Sequence, residues 1–200
     1  MERIGLLGGT FDPPHIGHLW LAEAARQSLN LNKILFLPAG QPPHKSDERV
    51  TGAAHRLEMT RLAVQGNDQF QLDTTDIERP SPHYTSTLLP LIQQNYPRTQ
   101  LWLLIGSDSL RDLPLWHEPE WVITQCRLAV LPRPGILVDW VWLSQSVSGV
   151  EQTVDILGGP TLDISSTAIR QWLADEYRPK YLIPTAVLEY IEQHNLYRAD

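Results

Sequence analysis

The chain has 200 residues, 42% of them apolar, enough for one compact α/β domain with a core and short for two. A formal net charge of -7 supplies no global attraction to nucleic acid or an anionic membrane, so an anionic ligand must be held by local geometry. The single cysteine, Cys126, excludes an intramolecular disulfide framework and a cysteine-rich zinc site, and its apolar surroundings read as those of a buried thiol.

The amino terminus passes from Met-Glu-Arg directly into an apolar run over residues 4–7 that ends at Gly8-Gly9, as a buried strand entering a tight turn would. No signal-peptide pattern precedes it and no apolar run reaches membrane-spanning length, so the expected compartment is the cytoplasm, with neither membrane nor nucleic acid as a partner. Residues 16–29 carry Ile16, Leu19, Leu21, Ala22, Ala25 and Leu29 at near-helical period, and 33–37 form a second apolar run stopped by Pro38. Strand, glycine turn, helix and strand are the elementary unit of a parallel sheet.

A helix is predicted over 53–65, closed by Gly66-Asn67, then a short strand over 70–74. The next helix starts near Thr85 and should be short or kinked, because Pro90 interrupts it; a strand over 100–105 ends at Gly106. Residues 127–131 read as a strand stopped by Pro132-Arg133-Pro134-Gly135, 139–145 are apolar with no decisive period, and 153–157 form a last strand. Two helices close the chain: 166–174, opened by serines, and 185–194, with Thr185 as N-cap and Val187, Leu188 and Ile191 facing inward. The expected fold class is α/β, a Rossmann-like doubly wound parallel sheet with helices on both faces, as a single domain over 1–200 on which the last two helices pack. Ligands should gather beyond the carboxyl ends of the strands, where Gly8-Gly9-Thr10, Pro38-Ala39-Gly40, Gly106-Ser107-Asp108 and Arg133-Pro134-Gly135 fall.

In the first of these loops the glycines allow close backbone approach, and the following helix offers unsatisfied N–H groups, a combination suited to phosphate. Neither G-x-G-x-x-G nor G-K-S/T is present. His15 and His18 lie three apart beside the same anion site. An isolated pair of this kind is as well explained by helix capping; beside a glycine loop, donation to phosphate is the better reading. Zinc is disfavoured by the spacing. The helix N-terminus opposes an imidazolium there and a polyphosphate favours one.

The stretch GGTFDPPHIGHL resembles the T/H-x-G-H signature of the nucleotidyltransferase superfamily and, in this full form, the bacterial nicotinate-mononucleotide adenylyltransferases. Class I aminoacyl-tRNA synthetases share "HIGH", but their distal lysine-serine signature and tRNA-reading domain are missing. At the far end, Asp163 to Arg170 matches the superfamily's I-S-S-T-x-I-R element. There Ser165 or Ser166 can cap a helix aimed at phosphate, with Arg170 one turn further in as a charged fork for phosphate oxygens.

Further matches are Pro42-Pro43-His44-Lys45, Tyr84-Thr85, Ile105-Gly106-Ser107-Asp108-Ser109-Leu110 followed by Trp116, and Arg133-Pro134-Gly135. The segment from Asp76 through Glu78 and Arg79 to Tyr84-Thr85 departs from the family's pattern twice: His83 replaces the usual serine, and Thr87-Leu88 comes one residue early. The resemblance implies transfer of the adenylyl group of ATP to nicotinate mononucleotide, with Mg2+ entering alongside ATP and no metal held by protein ligands alone. It implies His18, His15 and Arg170 as the catalytic residues, and for ATP Gly8, Gly9, Thr10, Phe11, Gly106, Asp108, Arg133, Ser165 and Ser166 beside them. For nicotinate mononucleotide it implies Thr10, Lys45, Tyr84, Thr85 and Trp116; Trp102, Trp121 and Trp172 read as core. Nicotinamide mononucleotide is the nearest alternative acceptor, followed by another phosphorylated acceptor such as phosphopantetheine; a non-catalytic nucleotide-binding module is the alternative of another class, and a homo-oligomer is compatible with the sequence.

Overall fold

The computed structural model describes residues 1–40 and 50–198. Six parallel strands form one sheet in the order β3-β2-β1-β4-β5-β6: β1 (Glu2–Gly9), β2 (Lys33–Pro38), β3 (Phe70–Leu72), β4 (Thr99–Gly106), β5 (Arg127–Leu131) and β6 (Val154–Ile156). The order reverses between β1 and β4, which places the crevice of a doubly wound sheet above the first glycine loop.

The strands read as unbroken apolar runs because both faces are covered. In β4, Leu101, Leu103 and Ile105 enter one core cluster, while Trp102 and Leu104 enter the other. The first cluster lies under α4 (Thr85–Asn95), α5 (Ser107–Arg111), α6 (Pro119–Gln125), α7 (Trp140–Ser146) and α8 (Val150–Thr153), the second under α1 (Ile16–Ser28). Gly5 interrupts β1 for a packing reason: a Cβ there would meet Ile34 Cδ1 and Leu104 Cδ1. A third cluster joins Met59 and Ala63 of α2 (Ala53–Val64) to Ile169 of α9 (Ser166–Ala174) and to Val187, Leu188 and Ile191 of α10 (Thr185–Gln193).

Several expectations need correction. The helix begun at Thr85 runs through Pro90 to Asn95, since burial of Leu88, Leu89 and Ile92 outweighs the one backbone bond that proline removes. The third strand stops at Leu72; residues that were expected to extend it lead into α3 (Thr75–Glu78). The apolar stretch after residue 139 is α7, started by Asp139, whose side chain accepts from Trp142 N. Pro184, and not Thr185, occupies the N-cap of α10. Trp172 is 51% exposed, on the outer face of α9 near Tyr177, whereas Trp102 is buried and Trp121 packs against the core. Cys126 is buried, and burial pushes its thiol up to about 12. Among the described residues no helix is long and apolar enough to cross a membrane.

Candidate active site

Among the described residues, two cavities open beyond the carboxyl ends of the strands. The first is built on the loop from β1 to α1. His15 is the N-cap of α1, its backbone extended at φ -145°, and its Nδ1 accepts from Gly17 N at 3.2 Å. His18, at the third helical position, returns the arrangement, with Nδ1 accepting from His15 N at 3.2 Å. The rings stack at 3.8 Å between centroids. Capping and phosphate donation are thus not alternatives. Because the backbone occupies each Nδ1 lone pair, each neutral ring carries its proton on Nε2, leaving two N–H donors fixed in tautomer and orientation.

Electrostatics keeps both rings neutral. Burial, then the charge of Arg133, lowers His15 to about 4. Burial, then His15 and Arg133, holds His18 well below the usual imidazole range. Phe11 was expected to meet ATP, but its ring is 1% exposed and meets His18 edge-on at 5.0 Å. Its side chain backs the imidazole.

The distal motif closes on this loop. Ser165 caps α9 by accepting from Ala168 N at 3.2 Å, while Ser166 Oγ donates to Pro13 O at 2.9 Å. Arg170 Nη1 donates to Asp12 O at 2.9 Å. Asp12 is itself buried, its carboxylate accepting from Thr51 N and from the Tyr197 hydroxyl. Opposite, Gly106 ends β4; a Cβ on it would strike Asp108 Oδ1 and Arg133 Nε. Asp108 Oδ1 lies 3.3 Å from Arg133 Nε and is a buried acceptor with no hydrogen-bond donor among the described residues, which suits a ribose hydroxyl. Ser107 Oγ holds the position of Arg133 by accepting from its N–H at 2.9 Å. A narrow cavity brings together His15, His18, Gly106, Arg133 and Ile164.

The second cavity, about 390 Å³, is lined by His83, Tyr84, Thr85, Trp116 and His117. It therefore unites the expected acceptor residues Tyr84, Thr85 and Trp116, while Lys45 lies outside the described residues. Tyr84 stacks on His117 at 4.4 Å and 10°, and His117 Nδ1 pairs with Ser86 Oγ at 2.9 Å. Arg79 shapes this wall: it bonds Asp76 at 2.6 Å, Thr87 Oγ1 at 2.8 Å and the carbonyls of Pro82 and Tyr84 at 3.0 Å each.

Sequence reasoning did not find His117 or Arg56. Arg56, 2% exposed, donates to the carbonyls of Thr51, Thr10, Ala39 and Gly40, and so ties the phosphate loop to the end of β2. The signal for it was an arginine in register with the buried Met59, Thr60 and Ala63 on one helix face. No comparable signal marked His117, which reaches the site through the turn after Leu113–Leu115. Among the described residues no group of three or more His, Cys, Asp or Glu stands together as a metal cage.

Residues 6–172 match the family described as cytidylyltransferase-like. A "probable nicotinate-nucleotide adenylyltransferase" of Thermomicrobium roseum is 44% identical over 99% of this chain and 92% of its own length. One of a Roseiflexus species, under the same description, is 42% identical over 98% of each. Among solved structures, Plasmodium falciparum nicotinic acid mononucleotide adenylyltransferase complexed with NaAD superposes with a TM-score of 0.80 at 20% identity, covering 98% of both chains. With the two motifs joined at one loop and relatives of this similarity over its whole length, the chain belongs to the nicotinate-nucleotide adenylyltransferases of the cytidylyltransferase-like family.

Proposed function

We propose that this chain, acting as one nucleotidyltransferase domain in the cytoplasm, transfers the adenylyl group of ATP to nicotinate mononucleotide, giving deamido-NAD and pyrophosphate. The single observation that carries this reading is the reciprocal cap of His15 and His18, which aims two neutral N–H donors into the loop that Arg170 and Ser166 close from the other side. The relatives' names supply the acceptor.

In the reaction a phosphate oxygen of the mononucleotide bonds to the α-phosphorus of ATP as the bond to the bridging oxygen breaks, and pyrophosphate leaves with that electron pair. The nucleophile is already an anion, so no general base is needed. Rate comes from aligning two substrates and stabilising charge on the α-phosphate and the leaving group. His18 donates to the α-phosphate with His15 beside it; Arg170 and the start of α9 take the β and γ phosphates. Asp108 receives the ribose hydroxyls, and Arg133 lies beside it.

Mg2+ would supply neutralising charge to the triphosphate when bound with ATP. Both imidazoles spend their Nδ1 lone pairs on backbone N–H groups, so they offer protons rather than ligands, and the phosphates of ATP rather than these side chains would hold such an ion. On the acceptor side, Trp116 and Tyr84 flank the pyridine, Thr85 opens a helix whose first N–H groups suit its carboxylate, and Thr10 and Lys45 serve the phosphate.

A pyrophosphate-release assay with ATP, Mg2+ and a panel of nicotinate mononucleotide, nicotinamide mononucleotide, phosphopantetheine and no acceptor tests reaction and substrate together. Release that is fastest with nicotinate mononucleotide is expected. ATP binding without release, or a preference for the amide, contradicts the reading.

A further inference from the structure

Arg56 stands on α2, buried, and lines neither of the two cavities. Among the described residues its guanidinium donates only to main-chain carbonyls: Nε to Thr51 O at 3.0 Å, Nη1 to Thr10 O at 3.0 Å and Ala39 O at 2.7 Å, and Nη2 to Gly40 O at 2.8 Å. Burial works against its charge, and the Asp12 carboxylate supports it. An apolar side chain of similar volume fills a buried place at less cost in free energy, so the charge is retained for what it holds.

The carbonyls belong to the two sides of the reaction. Thr10 follows Gly8-Gly9 in the loop that ends at the His15 cap. Gly40 lies against the acceptor cavity: a Cβ on it would overlap Cε1 and Nε2 of His83, which lines that cavity. Gly40 and Thr51 also bracket, in sequence, the Pro42-Pro43-His44-Lys45 motif. Thr51 is tied to the phosphate loop a second time, through its N–H, which donates to the Asp12 carboxylate at 3.1 Å. One planar fork therefore fixes three stretches of chain relative to one another. Transfer between two bound substrates depends on that relation, and a displacement of about 1 Å caused away from the chemistry can lower the rate about 10²-fold.

We propose that Arg56 is a positioning residue: it touches neither substrate and sets the spacing between the loop that holds ATP and the strand end beside the acceptor cavity. This rests on the two-substrate reading above and deepens it.

The test is pyrophosphate release over a matrix of ATP and nicotinate mononucleotide concentrations, with the urea midpoint of each protein, in the parent chain, Arg56→Lys, Arg56→Gln and Val187→Ala. Lysine keeps a charge but, as a point donor, cannot span four carbonyls. Val187 is buried in the third core cluster and lines neither cavity, so its truncation lowers stability and leaves the ties in place. In both Arg56 variants kcat is expected to fall about 10²-fold while each KM stays within about 3-fold of the parent value, the pattern of lost alignment with binding retained. Val187→Ala is expected to keep the parent kcat. Parent kcat in a folded Arg56→Lys, a change confined to one KM, or an equal fall of kcat in Val187→Ala overturns the role of Arg56 and leaves the reaction reading standing. Failure of both Arg56 variants to fold also overturns it, by assigning Arg56 to the fold alone. A parent chain that releases no pyrophosphate overturns both.

Discussion

Arg170 Nη1 donates to the main-chain oxygen of Asp12 at 2.9 Å, joining side chain and loop across 158 positions of sequence. The bond makes one guanidinium answer for two things, the shape of the phosphate loop and the charge beside it. Arg170→Ala should therefore lower kcat/KM for ATP by about 10²-fold or more. Arg170→Lys should recover little of it, because a point charge cannot span both contacts. Initial rates at varied ATP check both. Full recovery in the lysine variant would mean that charge alone matters.

Gly106 tests the opposite wall. Its missing Cβ is the space in which Asp108 Oδ1 and Arg133 Nε meet. Gly106→Ala should push both side chains away, raising KM for ATP about 10-fold while leaving KM for the acceptor much less changed. Equal changes in the two constants would locate the damage in the sheet.

Much of this was legible because it is local. The strands of a covered parallel sheet are unbroken apolar runs, and the phosphate loop and the serine-capped helix are each spelled in consecutive residues. Arg56 was missed because its partners are four carbonyls from three separate stretches, a set that no local pattern encodes. The letter of Phe11 lies in the motif, while its ring turns into the core and backs His18, an orientation that no local pattern encodes. Trp172 misled for the opposite reason: an aromatic in a helical apolar pattern landed on the outer face of α9, whose inner face needs only Ile169 deeply buried.

The depressed affinity of His15 for protons gives a signed pH dependence. Folded, it titrates at about 4; unfolded, near its ordinary 6.5. Between those values the unfolded chain holds a proton that the folded chain refuses, so stability rises with pH across that window and is fully present above it. The change is about 3 kcal/mol for this ring alone. His18, shifted in the same direction, adds to it. His15→Asn, which keeps an N-capping side chain, should flatten the dependence of the urea midpoint on pH between about 6.5 and 4.5. An unchanged slope would show that His15 is not held neutral.

The carboxyl-terminal segment has a measurable share in the loop. The Tyr197 hydroxyl donates to the buried Asp12 carboxylate, and burial together with the charge of Asp12 pushes the phenol far above its usual range. Tyr197→Phe should cost about 1–3 kcal/mol in urea unfolding at neutral pH, since it strips one donor from a buried anion. A midpoint equal to that of the parent chain would mean that Thr51 N alone satisfies the carboxylate.

The central claim, that adenylyl transfer runs through imidazoles fixed as neutral donors, is tested most directly by turnover of His18→Ala with saturating ATP, Mg2+ and nicotinate mononucleotide. A fall in kcat of about 10²-fold or more in a chain that still folds is the result expected for one lost transition-state donor. Turnover equal to that of the parent chain would contradict it.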